Sequence, residues 1–133
     1  ELEPNEADAL YYAGMAHSIK GESASAIESF SNAIELNPDD PYYPAGLAWA
    51  YARAGNREKA LEHLGRAEAA GVPLKEVGLV YGALGDLDLA FEYLERGYET
   101  EPGTLAGIGA DPSADPLRGD PRWQALMDRM ARE

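Results

Sequence analysis

Apolar and small residues return every three or four positions along most of the chain. Leu10, Ala13, Gly14 and His17 stand at i, i+3, i+4 and i+7, which is one face of a helix. Trp123, Leu126, Met127 and Met130 repeat that spacing near the other end. No sustained alternation of β-branched residues, the mark of a strand, occurs. The pattern predicts a helix from about Ala7 to Lys20, with Asn5 as its N-cap and Gly21 as its stop. Ser23 is expected to cap a second helix that reaches about Asn37. Asp40 and Pro41 then open a third that Gly55 ends, and Asn56 caps a fourth that stops by Ala70. Pro73 opens a fifth helix closed by Gly85, and Asp86 caps a sixth that ends near Thr100. Beyond it, one short helical turn is expected between Thr104 and Gly109. Three Asp-Pro pairs each cap a turn, and the last starts a helix over Pro121 to Ala131 that packs on the sixth.

These helices are copies of one another. Gly14, Gly21, Ala26, Phe30 and Pro38 are answered 34 places later by Ala48, Gly55, Ala60, Leu64 and Val72. A third set, Gly78, Gly85, Ala90, Leu94 and Pro102, follows at an offset of 30. The second copy is therefore trimmed by four residues in its second helix or its turn. Each place has a physical reason. The small residue lets a paired helix approach, and the glycine past the first helix takes a left-handed backbone without strain. Alanine then makes the close contact, a ring or leucine fills the space one turn on, and proline ends the helix.

This frame resembles the tetratricopeptide repeat, a 34-residue helix-turn-helix unit. Residues 7–40, 41–70 and 71–104 form the three copies, and residues 105–133 follow as a loop and a capping helix. The resemblance implies an all-α fold, a right-handed superhelix in a single domain over residues 1–133. It also implies a non-catalytic role in binding other proteins. The tail Asp115-Pro116-Leu117-Arg118, then Asp120-Pro121-Arg122-Trp123, resembles the close of repeat arrays in bacterial multidomain signalling proteins. Glu1-Leu2-Glu3-Pro4 matches Glu35-Leu36-Asn37-Pro38, so the chain is expected to belong to a longer protein or to stack on a partner there.

In the family, the second, fifth, ninth and twelfth positions of each repeat line a concave groove. Carried over, they are Asp8, Tyr11, Met15 and Ser18, then Tyr42, Ala45, Trp49 and Ala52, then Val72, Lys75, Leu79 and Gly82. Arg53 reaches the rim. The expected partner surface is Tyr11, Met15, Tyr42, Trp49, Arg53, Lys75 and Leu79. Family members that clamp a terminal carboxylate use Lys and Asn at such places; only Lys75 qualifies here, so clamping of that kind is not expected. The competing reading makes Trp49, Tyr11 and Leu79 core residues.

Charge narrows the partners. The chain carries 11 basic and 24 acidic residues, net −13, and residues 1–40 alone hold nine acids against Lys20. Such a body is ill suited to nucleic acid, whose binding draws on Lys and Arg. No apolar run has membrane-spanning length and no basic-then-apolar leader stands at Glu1, so a cytoplasmic place is expected. With no cysteine there is neither a thiolate metal site nor a disulfide.

Catalytic material is scarce. His17, at a core position of the frame, is expected to be packed, and His63, between Glu62 and Arg66, to be exposed. No zincin, nucleophile-elbow or phosphate-loop motif occurs. Asp111, Asp115 and Asp120 lack the spacing of a calcium loop. The sequence thus points to a binding module with no enzyme activity, cofactor or metal. A homo-oligomerisation unit and a small-ligand sensor stand as the alternatives.

Overall fold

Close approach of helices needs a residue without bulk opposite a large one, and the first two repeats each supply one against Phe30. The computed structural model describes residues 6–132. The expected cap Asn5 and the opening residues 1–4 lie outside that range. Among the described residues there are seven α-helices and no strand. They are α1 (Glu6–Ile19), α2 (Ser23–Leu36), α3 (Tyr42–Arg53), α4 (Arg57–Ala69), α5 (Leu74–Leu84), α6 (Leu87–Thr100) and α7 (Pro121–Ala131). Three 3-10 turns, Pro102–Leu105, Ile108–Ala110 and Pro112–Leu117, join α6 to α7. The chain divides into two compact units, Glu1–Val72 and Pro73–Glu133.

The first helix of each pair ends the same way. The N–H of Gly21 bonds the Ser18 carbonyl and the N–H of Glu22 bonds that of His17. Gly55 with Asn56, and Gly85 with Asp86, repeat the two bonds. The three glycines hold φ of 83°, 83° and 85°, so the left-handed closure needs glycine there. Caps vary more. Asp40 accepts the Tyr42 N–H and Asn56 the Lys59 N–H. Ser23 is instead the first helical residue of α2, behind Glu22, whose carboxylate is bonded to His17. Asp86 stands before α6 without a side-chain bond to its first turn. The shortening between the second and third copies is shared out: α4 has 13 residues against 14 in α2, and α5, which opens the third repeat, has 11 against 12 in α3. Gly71, at φ 88°, closes the shortened turn.

In the first unit Phe30 is fully buried. A Cβ on Gly14 of α1 would lie 2.9 Å from its ring, and one on Gly46 of α3 would lie 2.5 Å away. The ring is thus clasped between its own hairpin and the next helix. Ala26, Leu47 and Ala50 complete this cluster. Beside it, Tyr43 packs with Ala7 and Ala33, and its hydroxyl donates to Asp8. Burial, with that bond, pushes the Tyr43 phenol well above its ordinary value.

In the second unit Leu94 takes the place of Phe30, and non-repeating chain covers it. Leu105, Ile108, Ala114, Leu117, Trp123 and Leu126 close over Phe91 and Leu94. Asp111 accepts from the Ser113 N–H and hydroxyl, and Asp120 from the Arg122 N–H, so two of the three Asp-Pro pairs do cap. Asp115 does not; it lies within the third turn and its carboxylate pairs with Arg118 at 2.8 Å. Three tail arginines each lie over a ring: Arg118 over Trp123 at 5.0 Å, Arg122 over Phe91 at 4.8 Å and Arg129 over Tyr98 at 4.8 Å. Arg122 also pairs with Asp88, and Arg129 with Glu95, both on α6. Arg122 holds the Asp120 carboxyl down at about 2.

Candidate functional site

Residues seven and eleven places apart on a helix share a face, so Tyr42, Trp49 and Arg53 form one stripe on α3. Asp40 fixes where that stripe begins, through its 2.9 Å bond from the Tyr42 N–H. Tyr42 is 37% exposed, whereas Trp49 is only 4% exposed. The guanidinium of Arg53 lies 5.2 Å from the Trp49 ring centre. Its Nε donates to the Ser18 carbonyl at 3.2 Å, a carbonyl in the last turn of α1. Arg53 is therefore held on two sides: a ring below and a helix end beside it. A stacked, partly exposed cation of this kind gains roughly 0.5–1 kcal/mol from the ring. The Ser18 hydroxyl and the Trp49 indole N–H are buried with no hydrogen-bond partner among the described residues.

Tyr11 and Met15 are half-buried against the Phe30 cluster. Tyr11 meets Phe30 edge-on at 5.6 Å and lies tilted to Tyr43 at 5.6 Å. Ser18, Ala45 and Ala52, the small groove positions, are buried. The first unit thus brings Tyr11 with Met15, and Trp49 with Arg53. Lys75 and Leu79 belong to the second unit. Leu79 is 4% exposed and part of the cluster around Leu94. Lys75 is half-buried, and its ammonium lies 3.2 Å from Glu76. Burial raises the Glu76 carboxyl against the pull of that ammonium.

The two histidines exchange the places expected of them. His17 is half-exposed and its Nδ1 lies 2.6 Å from the Glu22 carboxylate, which this bond holds below its ordinary value. His63 is buried and stacks on Tyr51 at 5.5 Å and 6°. Burial lowers its pKa, Arg66 adds to the fall, and its Nδ1 has no partner among the described residues. The reason lies in the hairpin: the face of α4 that carries Ala60, His63, Leu64 and Ala67 is the inward one. His63 therefore follows the apolar spacing and not its charged neighbours. Among the described residues no group of three or more His, Cys, Asp or Glu is placed to hold a metal ion. No helix among them is long and apolar enough to cross a membrane.

One surface goes unmarked in the expected site. Tyr12 is 67% and Ile19 44% exposed, on the same face of α1. The signal was in the sequence, as a second apolar spacing, Ala9, Tyr12, Ala16 and Ile19, beside the inward one.

Helix hairpins closed by glycine, each keyed by a small residue against a ring or leucine, define a protein of stacked helical repeats. Two tetratricopeptide repeat family models match the chain, one over residues 19–73 and one over residues 76–104. The chain belongs to the tetratricopeptide repeat family. Repeats of this kind generally mediate protein–protein interaction, and the family is typically non-catalytic. Comparison with curated proteins and with solved structures finds no match.

Proposed function

We propose that this chain is a non-catalytic scaffold or regulatory module that binds a partner peptide or helix on the first-helix face of its repeats. The α3 stripe is the centre of that surface in the first unit, with Tyr11 and Met15 beside it. The observation that carries the reading is Arg53, pinned on Trp49 and on the Ser18 carbonyl, with exposed Tyr42 on the same stripe. A cation held in place before binding loses little freedom on contact, and Tyr and Arg are enriched where binding energy concentrates. Trp49 acts there as the floor under Arg53. On α5, Leu79 takes the place of Trp49 but is buried in the cluster around Leu94, and Lys75, the counterpart of Ala45, is half-buried beside Glu76.

A displayed library of random peptides, selected on the intact chain, tests this. Selected peptides should lose about tenfold or more in affinity with Arg53→Ala or Tyr42→Ala, a loss of roughly 1.4 kcal/mol. Both variants should keep the parent melting curve to within a few degrees. Peptides that bind both variants as tightly as the parent would remove the α3 stripe as the binding surface.

A further inference from the structure

Among the described residues five arginines lie over an aromatic ring. Three of them answer their charge inside the chain: Arg118 with Asp115, Arg122 with Asp88 and Asp120, and Arg129 with Glu95. Arg53 and Arg96 pair with no acid among the described residues. The Arg96 side chain has the Tyr93 ring alone to hold it there, at 5.1 Å. Arg53 has two holds, the Trp49 ring and, through Nε, the Ser18 carbonyl. In a chain with 24 acids, an exposed cation is thus fixed twice and its charge is left unanswered.

A guanidinium offers two forked edges, one that includes Nε and one made of the two terminal nitrogens. The Ser18 carbonyl takes Nε, so the end edge is the one left over. Its two nitrogens have no hydrogen-bond partner among the described residues. The residues that hold Arg53 have spare donors as well: the Ser18 hydroxyl and the Trp49 indole N–H are buried without a partner. The surroundings are rich in donors and short of acceptors. A carboxylate supplies two acceptors at the spacing of the free edge and meets it with two parallel N–H···O bonds.

We infer that Arg53 receives the carboxylate of a single Asp or Glu side chain, carried by a partner segment that is otherwise neutral or basic. This rests on the α3 stripe being the binding surface, and it names the chemistry of the occupant. Charge limits the acids to one. Residues 41–70 hold three acids against four bases, net +1, whereas residues 1–40 are net −8. One acid is drawn to Arg53, but the field of residues 1–40 repels a run of them. The stripe also sets a spacing. Tyr42 and Arg53 stand at the first and last places of α3, about 16 Å apart along its axis. An extended segment covers that distance in about five residues. The acid therefore lies about five places from an apolar or aromatic residue that meets Tyr42.

Two peptide libraries test this. Each displays about twelve residues fused at the C-terminal end, so that no chain-end carboxylate is free. One fixes Glu near the middle and the other Gln, and both leave Asp and Glu out of the random places. Selected on the intact chain, the Glu library should give binders at least about tenfold tighter than the Gln library. Replacing the fixed Glu by Gln in those binders should cost about tenfold on the parent and less than about twofold on Arg53→Gln. Arg53→Gln, an exposed change, should melt within about 2 °C of the parent. Replacing the fixed Glu by Lys should give peptides that prefer Arg53→Glu to the parent. Equal affinities from the two libraries would overturn the inference, as would a cost of losing the Glu that Arg53→Gln does not diminish. If such peptides still weaken with Tyr42→Ala, the stripe stands as the binding surface and only its acid partner is removed. Peptides indifferent to both Tyr42→Ala and Arg53→Ala remove the stripe itself.

Discussion

Phe30 in the first unit and Leu94 in the second hold the same place in the frame, and both are fully buried. They are buried by different means. Over Phe30 the lid is another repeat: Gly46 and Ala50 of α3 meet the ring, and Tyr43 and Arg53 nearer the two ends of that helix bond Asp8 and the Ser18 carbonyl of α1. Over Leu94 the lid is three short turns and α7, and it is tied down from outside. Arg122 and Arg129 reach α6 acids while lying over Phe91 and Tyr98, and Arg118 braces the loop across Trp123. A lid made of repeat meets the ring by shape and adds one polar bond near each end of the helix, Tyr43 to Asp8 and Arg53 to the Ser18 carbonyl. A lid made of irregular chain has backbone groups to satisfy and a wet outer side, and the aspartate caps and arginine clamps answer both.

The comparison breaks most visibly at its centre. Phe30→Ala should cost about 3–5 kcal/mol, as truncation of a buried ring does. That is a large share of the roughly 5–15 kcal/mol a domain holds, so denaturant titration should show most of the midpoint lost. A midpoint close to the parent's would mean that the clasp around Phe30 is not what holds the first unit. Trp123→Ala removes the largest piece of the other lid. It should cost about 3 kcal/mol, the lower end of that range, because Arg118 covers one face of the ring and the surrounding turns can settle. Dye binding to apolar surface should rise with it, as Leu94 and Phe91 are uncovered.

A lid that meets its ring by shape should also resist added bulk. Gly46→Ala places a methyl 2.5 Å from the Phe30 ring and should cost about 1–3 kcal/mol by overpacking. In a Phe30→Leu background the same change should cost much less; an undiminished cost would point to backbone strain in place of ring contact. Acid sharpens the contrast further. His63 has its folded pKa lowered by burial, so the unfolded chain binds the extra proton first. Its contribution is complete above its ordinary 6.5 and is lost as pH falls below that value. The Asp120 carboxyl, held at about 2 by Arg122, supports the tail cap down to its ordinary 3.8 and loses that support between there and 2. Single-tryptophan variants keeping Trp49 or Trp123 report one unit each, and the first unit should weaken at the higher pH. His63→Gln should flatten the near-neutral part of that dependence. The smallest effect is expected from Arg129→Met, which keeps the stem on Tyr98 and loses a half-exposed pair with Glu95. Its cost should stay under about 1 kcal/mol and fall with added salt.

The repeat spacing made most of the helices legible, because small, large and breaking residues recur in a fixed order. It also placed Phe30 correctly, since a ring between two small positions has one place to go. What escaped depended on a side chain's choice among partners. Ser23 reads as a cap, yet the helix begins on it and Glu22 turns to His17. Asp115 reads as a third cap, yet it takes Arg118. His63 follows helical phase against its charged neighbours, whereas His17, at a core place of the frame, is half-exposed and paired with the Glu22 carboxylate. The α3 stripe was legible as positions, but not as an arginine pinned on Trp49, since the Ser18 carbonyl that holds it is 35 residues away along the chain.

The clasp around Phe30 has a consequence for descent. A face that is finished by its neighbour's glycine is finished equally well by any duplicate of that neighbour. An array built so can gain or lose whole units between its ends without new side chains being selected to seal the join. The irregular tail has no such freedom, and an array lengthened by duplication would keep it once, behind its last repeat.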